Sequence, residues 1–325
     1  MKLYPLKFKP LLKKKVWGGD KIRRFYRHDT KADGKVGESW DVVTFDERND
    51  SVVDNGYLET NTLSELIEVY MGELMGDKIY DKYGCWFPLI VKLIDAREDL
   101  SIQVHPNDEI AKRHGEFGGK NEMWYVVDAV EGAQVMLGFN REVSEEEMAK
   151  RCKDGTVEEV MEHFDVKKGD VYYIPAGTVH ALGKGCLVVE VQDASDVTYR
   201  LYDYNRLDGG HKRQLHIREG LQSIDFEHWQ GRKVGVREEL NNVVNLVDND
   251  NFRVNLIDID RDREYSAEDA ESCVVLTVVE GHVTMLFDGD YLTIADGESV
   301  LIPADMEWVV LKPTVRTKIL EISIH

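Results

Sequence analysis

The sequence predicts a mainly β protein made of two jelly-roll barrels, of which the first is enlarged by helical insertions. Most apolar runs are short and are separated by Gly, Pro and Asp, a pattern typical of strands in sandwiches and barrels. Residues 130–137 (VEGAQVML) and 279–286 (VEGHVTML) are alike, and each is followed by a turn and an Ile-Pro-Ala sequence. This internal repeat indicates two copies of one β unit.

The strands of the first copy are the most clearly marked elements of the chain. They are predicted at residues 88–95, 100–105, 122–128, 134–139, 170–174, 179–182 and 187–192. Strands this short, with turn residues between them, indicate a sandwich or barrel.

Helices are predicted in two insertions only. In the first, residues 62–82, apolar side chains recur at helical spacing, and Thr62 with Glu65 forms a capping box. The second, residues 144–163, has two Ser/Thr-x-x-Glu capping boxes, which begin at Ser144 and Thr156. This pattern predicts two helices on either side of an Asp-Gly pair.

The length of 325 residues favours two domains, at roughly 100–200 residues per domain. We expect the boundary in the polar stretch between Trp229 and Asn242. An N-terminal domain with the helical inserts would then cover residues 1–235, and a smaller C-terminal domain would cover residues 236–325.

The formal net charge of −20 disfavours nucleic acid and anionic membranes as partners. Charged residues interrupt every apolar run before the roughly 20 residues of a membrane span. The N-terminal segment is basic and lacks the apolar stretch of a secretory signal, and the four cysteines form no Cys-x-x-Cys pair. We expect a cytoplasmic protein with free thiols that is a monomer or a small homo-oligomer.

Four side chains in the first copy have the chemistry of metal ligands. Gln103 and His105 alternate on one predicted strand, so both face the same side of the sheet. Glu122 opens the next strand, and His180 follows the Ile-Pro-Ala-Gly turn. Two imidazoles, a carboxylate and an amide oxygen suit a zinc site that keeps a position open for water or substrate. The sequence therefore predicts one Zn²⁺ per chain.

A histidine after such a turn can instead be a packing residue at the barrel rim. The presence of Gln103 and His105 on one face favours ligation. The second copy of the repeat has Trp308 where the first has His180, which restricts the metal site and catalysis to the first domain. The remaining histidines, including His216, are interpreted as surface or packing residues.

Six segments, in the order in which they occur, resemble the motifs of the type I mannose-6-phosphate isomerases of the cupin superfamily. They are WGG at 17–19, GESW at 37–40, LSIQVHPND at 100–108, GKNE at 119–122, IPAGTVHA at 174–181 and TYRLYD at 198–203. The resemblance extends over residues 5–225, and the chain length is similar to that of the short bacterial subgroup. It implies cupin-type barrels, a zinc cofactor and the interconversion of mannose 6-phosphate and fructose 6-phosphate.

The resemblance also implies roles for individual residues. It assigns zinc to the four ligands named above and marks Arg200 as the active-site arginine. Further catalytic roles are predicted for Lys120 and Glu190. Substrate binding is predicted for four residues: Ser101, Lys92, Trp17 and Arg206.

A hexose phosphate is an anion, so a local basic cluster must offset the negative charge of the chain. The residues predicted for this purpose are Lys92, Lys120, Arg200 and Arg206, although each could separately be a solvated surface cation. Lys92 differs because it interrupts the apolar run 89–94. A lysine that faces a barrel interior is costly unless an acid pairs with it, so we predict that Lys92 is functional or paired.

The reaction needs a base to move a proton between C1 and C2. The sequence leaves Glu190, Lys120 and zinc-bound hydroxide as candidates. Three other functions also remain open: an iron-dependent cupin oxygenase, a non-catalytic cupin that binds sugars, and an isomerase of another hexose phosphate. The oxygenase would leave the basic cluster and Gln103 unexplained.

Overall fold

Short strands dominate the computed structural model, which describes residues 2–26, 35–228, 230–266 and 270–325. Within those residues the strands form two seven-stranded sheets, one five-stranded sheet, one four-stranded sheet and two two-stranded sheets. The prediction of a mainly β protein is thus confirmed.

The strand boundaries agree with the predicted ones to within two residues at each end. The first part of the chain contains β1 (Leu6–Lys9), β2 (Leu11–Lys13), β3 (Glu38–Val42), β4 (Thr44–Asp46), β5 (Asn49–Asp50), β6 (Val52–Val53), β7 (Leu89–Asp95), β8 (Ile102–Val104), β9 (Glu122–Ala129), β10 (Gln134–Phe139), β11 (Met161–Asp165), β12 (Val171–Ile174), β13 (His180–Leu182), β14 (Cys186–Asp193), β15 (Tyr199–Tyr202), β16 (Leu207–Asp208), β17 (His211–Lys212) and β18 (Lys233–Val234). The second part contains β19 (Asn242–Asp248), β20 (Phe252–Ile259), β21 (Arg263–Tyr265), β22 (Val274–Glu280), β23 (His282–Phe287), β24 (Asp290–Ala295), β25 (Ser299–Ile302), β26 (Val309–Pro313) and β27 (Thr317–Ile324).

The helices of the described residues are short, and none combines the length and apolarity that crossing a bilayer requires. The α-helices are α1 (Lys21–Tyr26), α2 (Leu63–Met75), α3 (Asp77–Tyr83), α4 (Asp108–His114), α5 (Glu145–Asp154) and α6 (Ile217–Ser223). Two 3₁₀ turns cover Gly56–Leu58 and Val157–Val160.

The first helical insertion forms as predicted. The Thr62 side chain accepts a hydrogen bond from the Glu65 backbone N–H, and the Glu65 carboxylate accepts one from the Thr62 N–H. Gly76 separates α2 from α3, with a backbone φ of 90° that a side chain would disfavour. The apolar face of α2 packs into the main core through Leu63, Leu66, Ile67 and Leu74.

The second insertion forms only half of what the capping boxes predict. Ser144 caps α5, and Gly155 ends this helix in the left-handed region at φ 71°. The predicted second helix is wrong: the Thr156 side chain makes no capping hydrogen bond, and a single 3₁₀ turn follows. The chain then continues as β11, which pairs with β10. Strand pairing and the burial of Val160 and Met161 outweigh the weak local helix signal here.

The prediction that helices occur in two insertions only is also wrong, because α1, α4 and α6 lie elsewhere. Each has six or seven residues, too few for a helical period to emerge in the sequence. In α4 the N-cap is Asn107, whose side chain accepts a hydrogen bond from the Ile110 N–H. Its Pro-Asn-Asp sequence is equally typical of a turn.

The N-terminal strand belongs to the sheet of the C-terminal half. Leu6 is the partner of Leu301 in the pairing of β1 with β25, and β1 also pairs with β6. The division into residues 1–235 and 236–325 stays a prediction. Trp229, at one end of the predicted boundary, lies outside the described residues.

Two sheets of the first half hold the predicted metal ligands. One is seven-stranded, in the order β18-β12-β9-β14-β7-β3-β2, and the other is five-stranded, in the order β11-β10-β13-β8-β15. Strand β14 lies between β9 and β7 and is buried along its whole length, so its polar residues Glu190 and Gln192 are buried as well.

Candidate active site

The four predicted ligands meet where these two sheets face each other. Glu122 is the first residue of β9 in the seven-stranded sheet. Gln103 in β8 and His180 in β13 are directly opposite each other in the five-stranded sheet. His105 follows the end of β8 and is buried, with 1% of its surface exposed. Residues far apart in the sequence therefore converge because each lies in or directly after a strand of these two sheets.

The ligand atoms of His105, Glu122 and His180 all lie within 4.8 Å of one another. His105 Nε2 is 3.3 Å from Glu122 Oε2, and His180 Nε2 is 3.2 Å from Glu122 Oε1. Gln103 Nε2 is 3.3 Å from His180 Nε2, so the amide completes the group on one side. These distances are those of donors that surround a single small cation.

The hydrogen bonds of the two imidazoles fix which nitrogen points into the cluster. His105 Nδ1 is 2.7 Å from the Val197 carbonyl oxygen, and His180 Nδ1 is 2.9 Å from the Thr178 carbonyl oxygen. Because a carbonyl oxygen only accepts, each Nδ1 carries the proton and each Nε2 presents a lone pair.

Both lone pairs face a carboxylate, which is repulsive unless a cation lies between them. His105 Nε2 and Glu122 Oε1 are buried and have no hydrogen-bond partner among the described residues. Such orphaned acceptors are rare in folded proteins and call for an ion. The backbone carbonyls that orient the imidazoles are also the typical outer partners of metal-bound histidine. The group therefore fits a divalent metal ion.

The charge states agree with this interpretation. Burial, assisted by the Lys120 ammonium, lowers the pKa of His105 to about 3, so the imidazole is neutral and able to bind a metal. Burial alone would raise the pKa of Glu122, but the Lys120 ammonium, 2.9 Å away, holds it well below its usual range. Glu122 is thus an ionised carboxylate.

Next to the metal ligands lies a buried chain of two lysines and two glutamates. Lys92 Nζ is 3.1 Å from Glu190 Oε1, and Lys120 Nζ is 2.9 Å from Glu122 Oε2 and 4.0 Å from Glu190 Oε1. Lys92 and Glu190 are directly opposite each other on β7 and β14. The prediction that Lys92 is either functional or paired to an acid is therefore confirmed, and the nearby carboxylates raise its pKa against the effect of burial.

Three tryptophans surround this ion chain. Trp124 Nε1 donates a 2.8 Å hydrogen bond to Glu190 Oε2, and the Lys92 ammonium lies 5.0 Å from the centre of the Trp40 ring. Trp17 is buried beside them, and the glycine after it is required: a Cβ at Gly18 would lie 2.5 Å from the Gly37 nitrogen. The WGG and GESW segments are therefore in direct backbone contact.

A cavity of about 210 Å³ opens over these groups. At about 30 Å³ per water it holds roughly seven waters, the size of a small ligand. The predicted site residues that line it are Trp17, Lys92, Ser101, Gln103, Lys120, Glu190 and Arg200. A larger cavity, of about 740 Å³, lies between the N-terminus and the β23–β24 hairpin, far from this chemistry.

Arg206 does not line the cavity. Its guanidinium forms an ion pair with Asp203 and donates a 2.6 Å hydrogen bond to the Asp99 carbonyl oxygen. Arg200, by contrast, lines the cavity, is half-buried, and makes no ion pair within the described residues.

Several residues that line the cavity were not predicted from the sequence as site residues, among them Arg213 and His216. His216, which was interpreted as a surface or packing residue, is partly buried and lines the cavity. The sequence gives no sign of a functional role for these two residues. They follow the β16–β17 hairpin, and the hairpin brings them next to Arg200 only in the folded protein. Lys15 and Glu38 also line the cavity as an ion pair at 3.0 Å.

A model for the catalytic domain of type I phosphomannose isomerases matches residues 5–135, and a model for the cupin domain of mannose-6-phosphate isomerase matches residues 242–318. The mannose-6-phosphate isomerase ManA of Bacillus subtilis is 36% identical over 308 residues, which cover 92% of this chain and 93% of the relative. The chain belongs to the type I mannose-6-phosphate isomerase family. The predicted resemblance is thereby confirmed.

Solved structures of mannose-6-phosphate isomerases support the family assignment. The crystal structure of the Bacillus subtilis enzyme superimposes with a TM-score of 0.87 at 31% identity and covers 98% of this chain and 99% of its own. A mannose 6-phosphate isomerase bound with zinc and yttrium has a TM-score of 0.78 and covers 99% of this chain and 100% of its own. Its identity of 16% means that this likeness concerns the fold alone.

Proposed function

We propose that this chain is a zinc-dependent isomerase that interconverts mannose 6-phosphate and fructose 6-phosphate. Its membership of the mannose-6-phosphate isomerase family along almost the whole chain supports this activity. The observation that carries the proposal is the position of the His105, Glu122 and His180 cluster beside a cavity lined by buried lysines and Glu190. An aldose–ketose isomerase needs an electrophile and a base in one small pocket.

We assign the metal to Gln103, His105, Glu122 and His180, and zinc as its identity. A mixture of nitrogen and oxygen donors with two imidazoles favours zinc over magnesium or calcium, which prefer oxygen alone. Gln103 would bind through its amide oxygen after a turn of the amide group, because in the structure Nε2 faces His180 and the oxygen accepts a 3.2 Å hydrogen bond from Ser101 Oγ. When bound, zinc supplies a Lewis acid that polarises the substrate oxygens at C1 and C2.

Glu190 is the group that we assign to proton transfer between C1 and C2. Lys92 and Trp124 hold its two oxygens at 3.1 Å and 2.8 Å, so the carboxylate keeps one orientation as it accepts and returns the proton. Lys120, between Glu122 and Glu190, can donate a hydrogen bond to the developing enediolate oxygen. Arg200, which lines the cavity, can stabilise the negative charge that develops on the substrate in the transition state, and the buried ring of Trp17 excludes water.

The test is isomerase turnover on mannose 6-phosphate and fructose 6-phosphate, with bound metal measured in the same preparation. We expect about one zinc per chain and activity that is lost on chelation and restored by zinc. Undiminished turnover in metal-free protein would overturn the zinc assignment. A panel of hexose phosphates identifies the substrate, and faster turnover of another member, or no turnover at all, would replace the proposal with an isomerase of another sugar or a sugar-binding cupin.

We further propose a cytoplasmic monomer or small homo-oligomer. The four cysteines are free, and Cys152, Cys186 and Cys273 are buried, which suits a reducing compartment. Cell fractionation and light scattering of the purified protein test the two statements, and recovery of the protein outside the cytoplasm would refute the first.

A further inference from the structure

The lysines of the site are already paired with glutamates, so they are poor candidates for binding the phosphate group of the substrate. Lys92 is paired with Glu190, and Lys120 lies 2.9 Å from Glu122, so neither has an excess charge to offer a dianion. Lys15 is likewise paired with Glu38. The cation that binds the phosphate must therefore be sought elsewhere on the wall of the cavity.

Positive charge remains uncompensated at the edge of the five-stranded sheet. Arg200 lies on the edge strand β15, and its buried Nε has no hydrogen-bond partner among the described residues. Arg213 lines the same cavity, and its charge, together with burial, lowers the pKa of Arg200. Two guanidiniums that repel each other beside a cavity are costly unless an anion binds between them.

The carboxylates nearby are too few to neutralise this edge. Asp203 is buried and is shared by two arginines: Arg206 is ion-paired to it, and Arg213 Nη1 is 3.2 Å from its Oδ1. Asp196 is the other acid that lowers the positive potential at Arg200. Three guanidiniums thus face two carboxylates, within a chain whose net charge is −20.

The segment that carries Arg213 is fixed to the Arg200 strand. The His216 N–H donates to the Arg200 carbonyl oxygen at 2.8 Å, and the Arg200 N–H donates to His216 Nδ1 at 3.2 Å. Because Nδ1 accepts, the proton of the neutral imidazole is on Nε2. Nε2 has no protein partner within the described part of the chain, so His216 offers the cavity a free N–H donor beside Arg213.

We infer that Arg213, with His216 beside it, binds the phosphate group of the sugar substrate, and that Arg206 does not. The inference rests on the proposed function for the identity of the ligand, but phosphate binding can be measured without turnover. The guanidinium presents two parallel N–H groups to a phosphate, which a lysine cannot do. The metal ligands, Lys120 and Glu190 are then left free for the carbons at the other end of the sugar.

The experiment compares R213A with R206A, because these two arginines share Asp203 and differ in whether they reach the cavity. R253A is the control for the loss of one positive charge, since Arg253 is paired with Asp248 at 2.9 Å in the C-terminal half. Zinc-loaded protein is titrated with inorganic phosphate by calorimetry, and the KM and kcat for mannose 6-phosphate are measured. Thermal unfolding of each variant verifies folding.

We expect R213A to weaken phosphate binding and raise the KM about 10- to 100-fold, the usual scale for a charged hydrogen-bond donor, with kcat almost unchanged. R213K, which keeps the charge and the fold, should lose less affinity. R206A should change affinity much less than R213A, and R253A should have no effect. An unchanged phosphate affinity in R213A, or an equal loss in R206A, would overturn the inference.

The two proposals fail in different ways. If the wild-type protein binds phosphate through Arg213 but does not isomerise mannose 6-phosphate, the inference stands and the proposed function is wrong. If the wild type isomerises the sugar and R213A is unaffected, the proposed function stands and Arg213 has no part in phosphate binding.

Discussion

The buried pair of Lys92 and Glu190 allows a quantitative test of the site architecture. Their side chains are 4% and 5% exposed, and the closest N–O distance is 3.1 Å. Removing one partner of a buried ion pair costs about 3–5 kcal/mol, because the other charge is left without compensation. Lys92→Met keeps the length and the apolar contacts of the side chain but removes the closest cation from Glu190.

The structure places the expected cost near the lower end of that range. Glu190 keeps the 2.8 Å hydrogen bond from Trp124 and a second lysine, Lys120, at 4.0 Å. We therefore expect K92M to lower the free energy of unfolding by about 3 kcal/mol. At roughly 2 °C per kcal/mol for a chain of this size, the melting temperature should fall by about 6 °C.

A double-mutant cycle separates this pair from general effects of the substitution. E190Q keeps an acceptor for Trp124 but removes the charge that Lys92 compensates, so K92M/E190Q should cost about 2 kcal/mol less than the sum of the single variants. K35M is the matched control, because Lys35 and Glu98 form an ion pair at 3.4 Å with side chains 44% and 49% exposed. It should cost about 0–1 kcal/mol.

The assay is urea unfolding and thermal melting of the wild type and the four variants at neutral pH. A K92M cost no larger than that of K35M, or additive effects in the double variant, would refute the argument that the pair is buried and coupled.

Four further predictions concern the metal site and its surroundings. His105→Ala and His180→Ala should leave a soluble, β-rich protein by circular dichroism while zinc content and turnover fall together. Elemental analysis should find one metal per chain, because Trp308 replaces the histidine in the second copy; a second tightly bound zinc lost on tail mutation would contradict this. Arg200→Ala should keep its zinc but lose at least ~10²-fold in turnover, with partial rescue by lysine; a raised KM alone would make Arg200 a binding residue. Metal-free protein should be most stable above pH ~6.5 and should lose stability as the pH falls toward 3. In this range His105 is protonated in the unfolded chain but stays neutral in the folded protein, where its pKa is about 3. A melting temperature that does not change over this range would contradict the prediction.

Much of the fold could be predicted because the relevant signals are local. Strands such as β7 and β14 are short, mainly apolar segments bounded by turn residues, and their limits follow from that pattern. The Ser144 cap and Gly155 likewise fix α5 within a few residues. The prediction fails at Thr156, where an equally good capping sequence gives a single 3₁₀ turn because the next residues pair with β10.

The candidate site divides in the same way. The grouping of Gln103, His105, Glu122 and His180 was predictable because their motifs are short and each lies in or next to a short strand. Arg206 and Arg213 lie seven residues apart on either side of a hairpin, and a sequence offers no means of telling which one faces the cavity.

The sequence by itself determined the residue types of the metal site, the strands that carry them and the need for a partner for Lys92. Tertiary structure decided which partner that is: Glu190, nearly a hundred residues away, is opposite Lys92 only because β14 lies between β7 and β9. It also decided that Arg200 has no ion pair within the described residues and that Arg213 shares Asp203 with Arg206, whereas Lys92 and Lys120 each have a glutamate within 3.1 Å. Charge compensation depends on distances of 3–4 Å between side chains from different strands, and only the packed sheets set those distances.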